Sequence, residues 1–331
     1  MYDVITLGSA IRDLTFYDVP GKIIHTPDNL TAQRLLAVEY GAKFTMDNTR
    51  WGFGGGAANT AVNYASHGLK TAIIACVGND SAGDEVLTNF KKRKVRTDFI
   101  QRSSGQTGIS VILTHEKQGR DHTLFVDRGA SEEISWPKDY RKLKSKFFHM
   151  GSLSGKNWKS VLQSGFKHAK KVRAMTAWNP GGVQLAVGKR GLLPLLKLTD
   201  ILILNKDEAI ELVLSGVSVG KRNPKYLNKH LYLLNMLNDW GPRIVVITDG
   251  PKGVFALHEG KMYKASTHNI KVIDTTGVGD AFGSGFVTGN ILNPNDIEKA
   301  LRWGVANSES VIRKHGAQAG IMTRSEINKI S

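Results

Sequence analysis

The stretch DTTGVGDAFGSG, residues 274–285, joins two kinds of sequence. The β-prone residues Ile270, Val272 and Ile273 precede it, and Phe286 and Val287 follow its small residues. It reads as an extended segment handing over to a helix that starts near Gly279. The first N–H groups of such a helix have no acceptor within it and carry partial positive charge. Gly277 and Gly279 let a ligand approach the main chain closely, so Gly277, Val278 and Gly279 read as an anion cradle. Taken alone, Asp280 also reads as a helix cap. A cap, however, needs neither the GVG before it nor Asp274-Thr275-Thr276 before that. For phosphoryl transfer the combination makes sense: backbone donors hold the migrating group, and a carboxylate takes the proton of the attacking hydroxyl.

Working outward, short apolar runs recur at 2–8, 71–78, 146–151, 172–178, 200–205 and 243–250. Near-continuous apolar runs of this length are expected of strands covered on both faces. Helical patterns separate them, at 57–68, 81–93, 158–171, 206–216, 227–241, 279–292 and 295–314. The alternation predicts an α/β fold with a mostly parallel central sheet and helices on both faces. Residues 14–51 and 105–130 break it. The second carries an alternating β pattern in which Gln118-Gly119 reads as a hairpin turn. Two such insertions are expected to pair into a small β lid that excludes water, within a single domain spanning 1–331. Unrelated surface loops are the plainer alternative.

Three further segments carry chemistry. GFGGGA at 52–57 fits a dinucleotide fingerprint in letters, but that motif needs a strand before it, and DNTRW at 47–51 does not read as one. These glycines instead suit close approach to a polyhydroxylated ligand, with Asn59 offering a donor and an acceptor; a glycine-rich turn opening a packed helix is the structural alternative. In LNKDEA (204–209), Asn205 and Glu208 share one helix face. They suit either a capping box or the outer shell of a hydrated Mg²⁺. TDGPKG (248–253) follows a strand, where α/β sheets gather ligands.

Composition excludes other classes. No apolar run approaches the roughly 18 residues of a membrane span, and the N-terminus does not read as a signal peptide. The lone Cys76 permits no internal disulfide and suits a reducing cytoplasm. There is no HExxH, no cysteine pair, no P-loop and no GxSxG elbow. The net charge is +16, from 45 basic and 29 acidic residues, which suits an anionic partner. The basic clusters at 91–96, 138–146 and 167–173 are short and poor in aromatics, so a solvated surface is expected rather than a nucleic-acid groove.

The chain resembles the PfkB (ribokinase-like) family of carbohydrate and nucleoside kinases along essentially its whole length. The resemblance rests on GSAIRD (8–13), GGGAAN (54–59), VGNDSAGD (77–84), NP (179–180), NKDE (205–208), TDGPKG (248–253), DTTGVGD (274–280) and HGAQAG (315–320), in that order. It implies an ATP-dependent kinase acting on a hydroxyl, a primary one, of a sugar or sugar-like substrate. Asp280 would be the general base, and Gly277, Val278 and Gly279 the anion hole. Asp13, Gly55 and Asn59 would grip the acceptor. Asn205, Thr248, Asp249, Gly250 and Gly253 would bind ATP. Glu208 would act on Mg²⁺ through water, and Asp274 and Thr276 would border a K⁺ site. It also implies a homodimer formed through the lid, and leaves a nucleoside kinase and a non-catalytic nucleotide, sugar or nucleic-acid binder as alternatives. Several positions depart from the family pattern: Gly56 stands where a lysine is common, Ile11 where a polar residue is common, and Val305 where an adenine-side Asn or His is common.

Overall fold

The computed structural model describes residues 1–26, 34–115, 122–218 and 224–330. In the first half of the chain the strands are β1 (Tyr2–Leu7), β2 (Ile11–Phe16), β3 (Lys22–His25), β4 (Arg34–Ala37), β5 (Thr49–Gly54), β6 (Thr71–Gly78), β7 (Arg96–Ser103), β8 (Thr107–Thr114), β9 (His122–Gly129) and β10 (Ser145–Met150). The second half adds β11 (Met175–Trp178), β12 (Ile201–Asn205), β13 (Ile244–Thr248), β14 (Val254–His258) and β15 (Lys261–Ala265). The helices are α1 (Gly56–Ser66), α2 (Ser81–Lys92), α3 (Trp158–Lys171), α4 (Gly182–Leu185), α5 (Gly188–Leu196), α6 (Lys206–Leu214), α7 (His230–Asp239), α8 (Val278–Leu292), α9 (Ile297–Val311) and α10 (Arg324–Ile327).

Nine strands form the central sheet in the order β15-β14-β13-β12-β11-β10-β1-β6-β7. The seven from β13 to β7 are parallel, and β14 and β15 close one edge antiparallel. Every residue of β6 is buried, as a strand covered on both faces requires. Alternate residues feed different cores. Ile5 and Leu7 pack with α3, α5, α6 and α7, whereas Val4 packs with α8 and α9, and Ile73 and Ala75 with α1 and α2.

A second sheet, in the order β5-β2-β8-β9, stands apart from the first, and β3 pairs with β4 in a separate hairpin. Strands β2 and β8 run parallel, with β5 and β9 antiparallel outside them. The Gln118-Gly119 turn lies outside the described residues.

The structure corrects several readings. A strand, β5, does precede the glycine-rich turn, contrary to the reading of 47–51. It is an antiparallel edge strand of the small sheet, not a parallel strand feeding a βαβ crossover, so the dinucleotide context is missing for a different reason. Val172 and Arg173 finish α3 rather than open β11: the Val172 N–H donates to the His168 carbonyl at 3.0 Å, and Arg173 turns left-handed at φ 59°. The helix expected from 227 starts at His230, after a short 3-10 turn at Pro224–Asn228. The edge strands β7 and β15, the strand β14 inside β15, and helix α5 with its internal Pro194 have no counterpart in the sequence reading.

Candidate active site

Strand order reverses at β1, which lies between β6 and β10. The crevice beyond the carboxyl ends at such a reversal is where open α/β sheets gather ligands. Helix α1 is seated on that end: the Ala58 N–H donates to the Ser9 carbonyl, and the Thr6 hydroxyl to the Ala57 carbonyl, both at 3.1 Å. The turn into α1 demands glycine. Gly55 has φ 93°, and a Cβ there would lie 2.5 Å from the Ser9 carbonyl. A Cβ on Gly54 would run into the Asp13 carboxylate. At these two positions it is therefore protein that crowds the main chain.

Asp13 projects from the middle of β2, opposite Gly52, and is buried. Burial pushes its carboxyl up to about 6, the Ser110 hydroxyl and the Arg12 guanidinium oppose the rise, and the nearby Asp274 adds to it. Arg12 points the other way along the strand alternation. It ion-pairs with Glu85 and lies 4.7 Å from the centre of the Phe53 ring.

Asp280 stands in the first turn of α8, half-buried. Burial pushes its carboxyl up to about 6; a hydrogen bond from Asn59 opposes this and the Asp13 charge reinforces it. The Asn59 Nδ2 donates to Asp280 Oδ2 at 2.8 Å. The Asn59 Oδ1 accepts from Gln318 Nε2 at 3.1 Å, so this residue, expected to grip an acceptor, spends both ends of its amide on protein partners, with one N–H to spare. An ideal Cβ on Gly56 would lie 3.5 Å from Asp280 Oδ1, so the missing lysine leaves room beside the carboxylate.

The two glycines before Asp280 do different work. Gly277 caps α8 in the left-handed conformation at φ 75°, and a Cβ there would lie 2.6 Å from that of Ala317. Gly279 faces open space. The N–H groups from Val278 to Asp280 precede the helical ladder, whose first rung is Ala281 N to the Gly277 carbonyl at 2.9 Å, although that of Val278 already reaches the Thr275 carbonyl at 3.4 Å. They are the donors an incoming anion would meet.

Asp274 holds this loop together. Its Oδ1 accepts from Thr276 N and its Oδ2 from Gly316 N, each at 2.8 Å, and the Tyr17 hydroxyl reaches Oδ2 at 3.5 Å from the small-sheet segment. His122 at the start of β9 is hydrogen-bonded to the Thr275 hydroxyl at 3.2 Å. The Thr276 Oγ1 is buried without a partner among the described residues.

The other group of expected residues gathers at the ends of β12 and β13, where Asn205 and Thr248 are register partners. Asn205 caps α6: its Oδ1 accepts from Glu208 N, and its own N–H donates to Glu208 Oε2, both at 2.9 Å. The capping box is thus real, and burial raises the Glu208 carboxyl. Asp249 turns its carboxylate to Lys206 at 3.3 Å and His230 at 2.9 Å, which holds it below the usual carboxylate range although partial burial opposes this. Gly250 and Gly253 make the tight turn, at φ 49° and 97°, with open space beside Gly250. Among the described residues, no cluster of three or more His, Cys, Asp or Glu side chains is arranged to hold a metal ion.

Sequence reasoning missed Gln318, Tyr17, Lys206 and His230. HGAQAG contains Gln318, but nothing local to it shows that its amide meets a residue 259 positions away.

Comparison with known proteins bears on the family and the fold. A sequence profile described as "pfkB family carbohydrate kinase" matches residues 29–324. A ribokinase from Haemophilus influenzae is 29% identical over 305 residues, covering 90% of this chain and 94% of that protein. An Arabidopsis thaliana ribokinase solved with ribose and ATP superposes with a TM-score of 0.78 at 19% identity, over 99% of this chain and 98% of that one. A nucleoside kinase from Methanocaldococcus jannaschii gives 0.74 at 21% identity, over 99% and 97%.

Proposed function

The chain belongs to the pfkB family of carbohydrate kinases, and on that footing we propose that it transfers the γ-phosphoryl group of ATP to a hydroxyl, a primary one, of a sugar or sugar-like acceptor. The observation that carries this is Asp280: an acid in the first turn of α8, beside unladdered N–H groups, with its carboxyl pushed up to about 6. A base with a pKa just under neutral is ionised at working pH and still basic enough to accept a hydroxyl proton. Val278 to Asp280 supply donors for the charge that builds on the migrating phosphoryl. Asp13 and Gly55 line the acceptor side, with the spare N–H of Asn59. Asn205, Thr248, Asp249, Gly250 and Gly253 form the nucleotide side, where Asp249 acts by holding Lys206 and the turn rather than by touching phosphate.

Glu208 suits a hydrated Mg²⁺, because one of its carboxylate oxygens makes the capping bond and the other is left for a water of the ion. Mg²⁺, when bound, neutralises phosphate charge. The orphan Thr276 Oγ1 beside Asp274 suits a weakly held, oxygen-liganded cation such as K⁺. The small sheet acts as a lid, with Asp13 on β2 and with Tyr17 and His122 touching the loop before α8. The whole chain then works as one domain, in a cytoplasmic setting.

The same residues serve a nucleoside kinase. Two observations favour that second reading: the space left by Gly56 next to Asp280, and the extra β3–β4 hairpin inside 14–51. A coupled assay for ADP release, run with ATP and Mg²⁺ in K⁺ and in Na⁺, separates the readings. The acceptors are ribose, fructose, 2-keto-3-deoxygluconate, adenosine, inosine and cytidine. We expect turnover on at least one sugar, faster in K⁺. Turnover on nucleosides alone would establish the second reading, and silence across a broad panel would overturn both.

A further inference from the structure

Behind Asp280 lies a chain of side-chain amides, of which the chemistry above uses only the spare N–H of Asn59. Asn59 Nδ2 donates to Asp280 Oδ2 at 2.8 Å, Gln318 Nε2 to Asn59 Oδ1 at 3.1 Å, and Asn89 Nδ2 to Gln318 Oε1 at 2.9 Å. The chain runs from α8 through α1 and the segment after α9 to the outer turns of α2. Asn59 and Gln318 are both buried, at 4% and 8% exposure, so water does not compete for their amides.

An amide has a donor end and an acceptor end of nearly the same shape. Only the donor end of Asn59 can face an ionised carboxylate. What prevents a flip is the partner at the other end: Gln318 presents a donor, which only Oδ1 can accept. Gln318 is fixed by the same logic, because Asn89 presents a donor to its oxygen. The main chain is pinned as well. Arg93, which caps the end of α2, donates to the Gln318 carbonyl at 3.2 Å. Asn63 donates to the Asn59 carbonyl at 2.8 Å, and Asn307 bridges the Asn63 side chain and the Ala281 carbonyl, each at 2.8 Å.

We propose that Gln318 is a positioning residue for Asp280: through Asn59 it dictates that a hydrogen-bond donor meets the carboxylate, and Asn89 dictates the orientation of Gln318 in turn. The proposal deepens the reading of Asp280 as the base and rests on it. Loss of Gln318 frees Asn59 to turn its oxygen toward Asp280, which removes a favourable contact with the charged form and adds a repulsive one. The titratable groups that face Asp280 are Asp13 from β2 and the Tyr64 hydroxyl from α1, and neither is touched by the substitution.

The test is a ¹³C NMR titration of the Asp280 carboxyl carbon in the full chain, with the signal assigned by its loss in Asp280→Asn. In Gln318→Met, which keeps the bulk and loses the donor, the midpoint should rise by about one unit. In Asn89→Leu, at a half-buried position on α2, it should rise by less. A purely structural role for Gln318 would lower the melting temperature and leave the midpoint in place. An unmoved midpoint in folded Gln318→Met overturns the proposal, and should that variant not fold, an unmoved midpoint in Asn89→Leu does so. The titration needs no substrate. If Asp280→Asn keeps turnover, the base assignment fails by itself, whatever the midpoint does.

Discussion

At the scale of the residue, the site is built from acids kept in poor surroundings. Asp13 and Asp280 are both raised to about 6, chiefly by burial, and each lies close enough to another carboxylate to feel its charge. Such groups cost stability in order to be reactive. The sign is fixed by linkage: the folded-state pKa of Asp280 is raised above the ordinary 3.8, so the folded chain holds this proton more tightly than the unfolded one. The half-buried carboxyl is no burden below about pH 4 and becomes one as pH rises through about 6. Asp280→Asn should therefore melt above wild type at alkaline pH, with the difference vanishing in acid. Calorimetry across pH reads this, and a variant that melts below wild type in alkali contradicts it. Asp280 and Gly277 were legible in the sequence because their evidence is local, an acid and a left-handed glycine at one helix start. The partner of Asp280 was not, since Asn59 lies 221 positions away.

At the scale of the element, near-continuous apolar runs gave away β1, β6, β10, β12 and β13 because burial on both faces leaves little room for polar residues. Edge strands escape that rule. β7 reads RTDFIQRS and is buried only at Phe99 and partly around it, so its pattern looks like surface. Capping signals were legible at α6, where Asn205 and Glu208 form the expected reciprocal pair. The small sheet carries exposed apolar side chains: Trp51 and Phe125 are each 60% exposed and share one face of the sheet with Leu14 and Val111, which lie between them in register. Lone monomers rarely leave such a patch uncovered, and we infer that the lid of a second copy covers it. Sedimentation should show a dimer that Phe125→Glu dissociates, and a wild-type chain that stays monomeric at micromolar concentration would contradict this.

At the scale of the whole molecule, the alternation of strands and helices was enough to imply a parallel sheet layered by helices, and the reversal at β1 then fixes where a ligand belongs. Net charge was a weaker guide. Single members of the basic clusters form surface ion pairs, Arg96 with Asp98, Lys142 with Asp139, Lys146 with Asp3 and Lys170 with Asp200, as expected of a solvated surface. No described helix is long and apolar enough to cross a membrane. On the proposed reading the fold achieves convergence: α8 would bring donors and a base, β2 and α1 the acceptor side, and the ends of β12 and β13 the nucleotide side. The measurement that bears most directly on this is the turnover number of Asp280→Asn with ATP and the acceptor that wild type phosphorylates. The expected loss is about 10²–10⁴-fold, the contribution of a positioned general base. Turnover close to wild type would contradict the assignment of Asp280 and, with it, the chemistry proposed for this site.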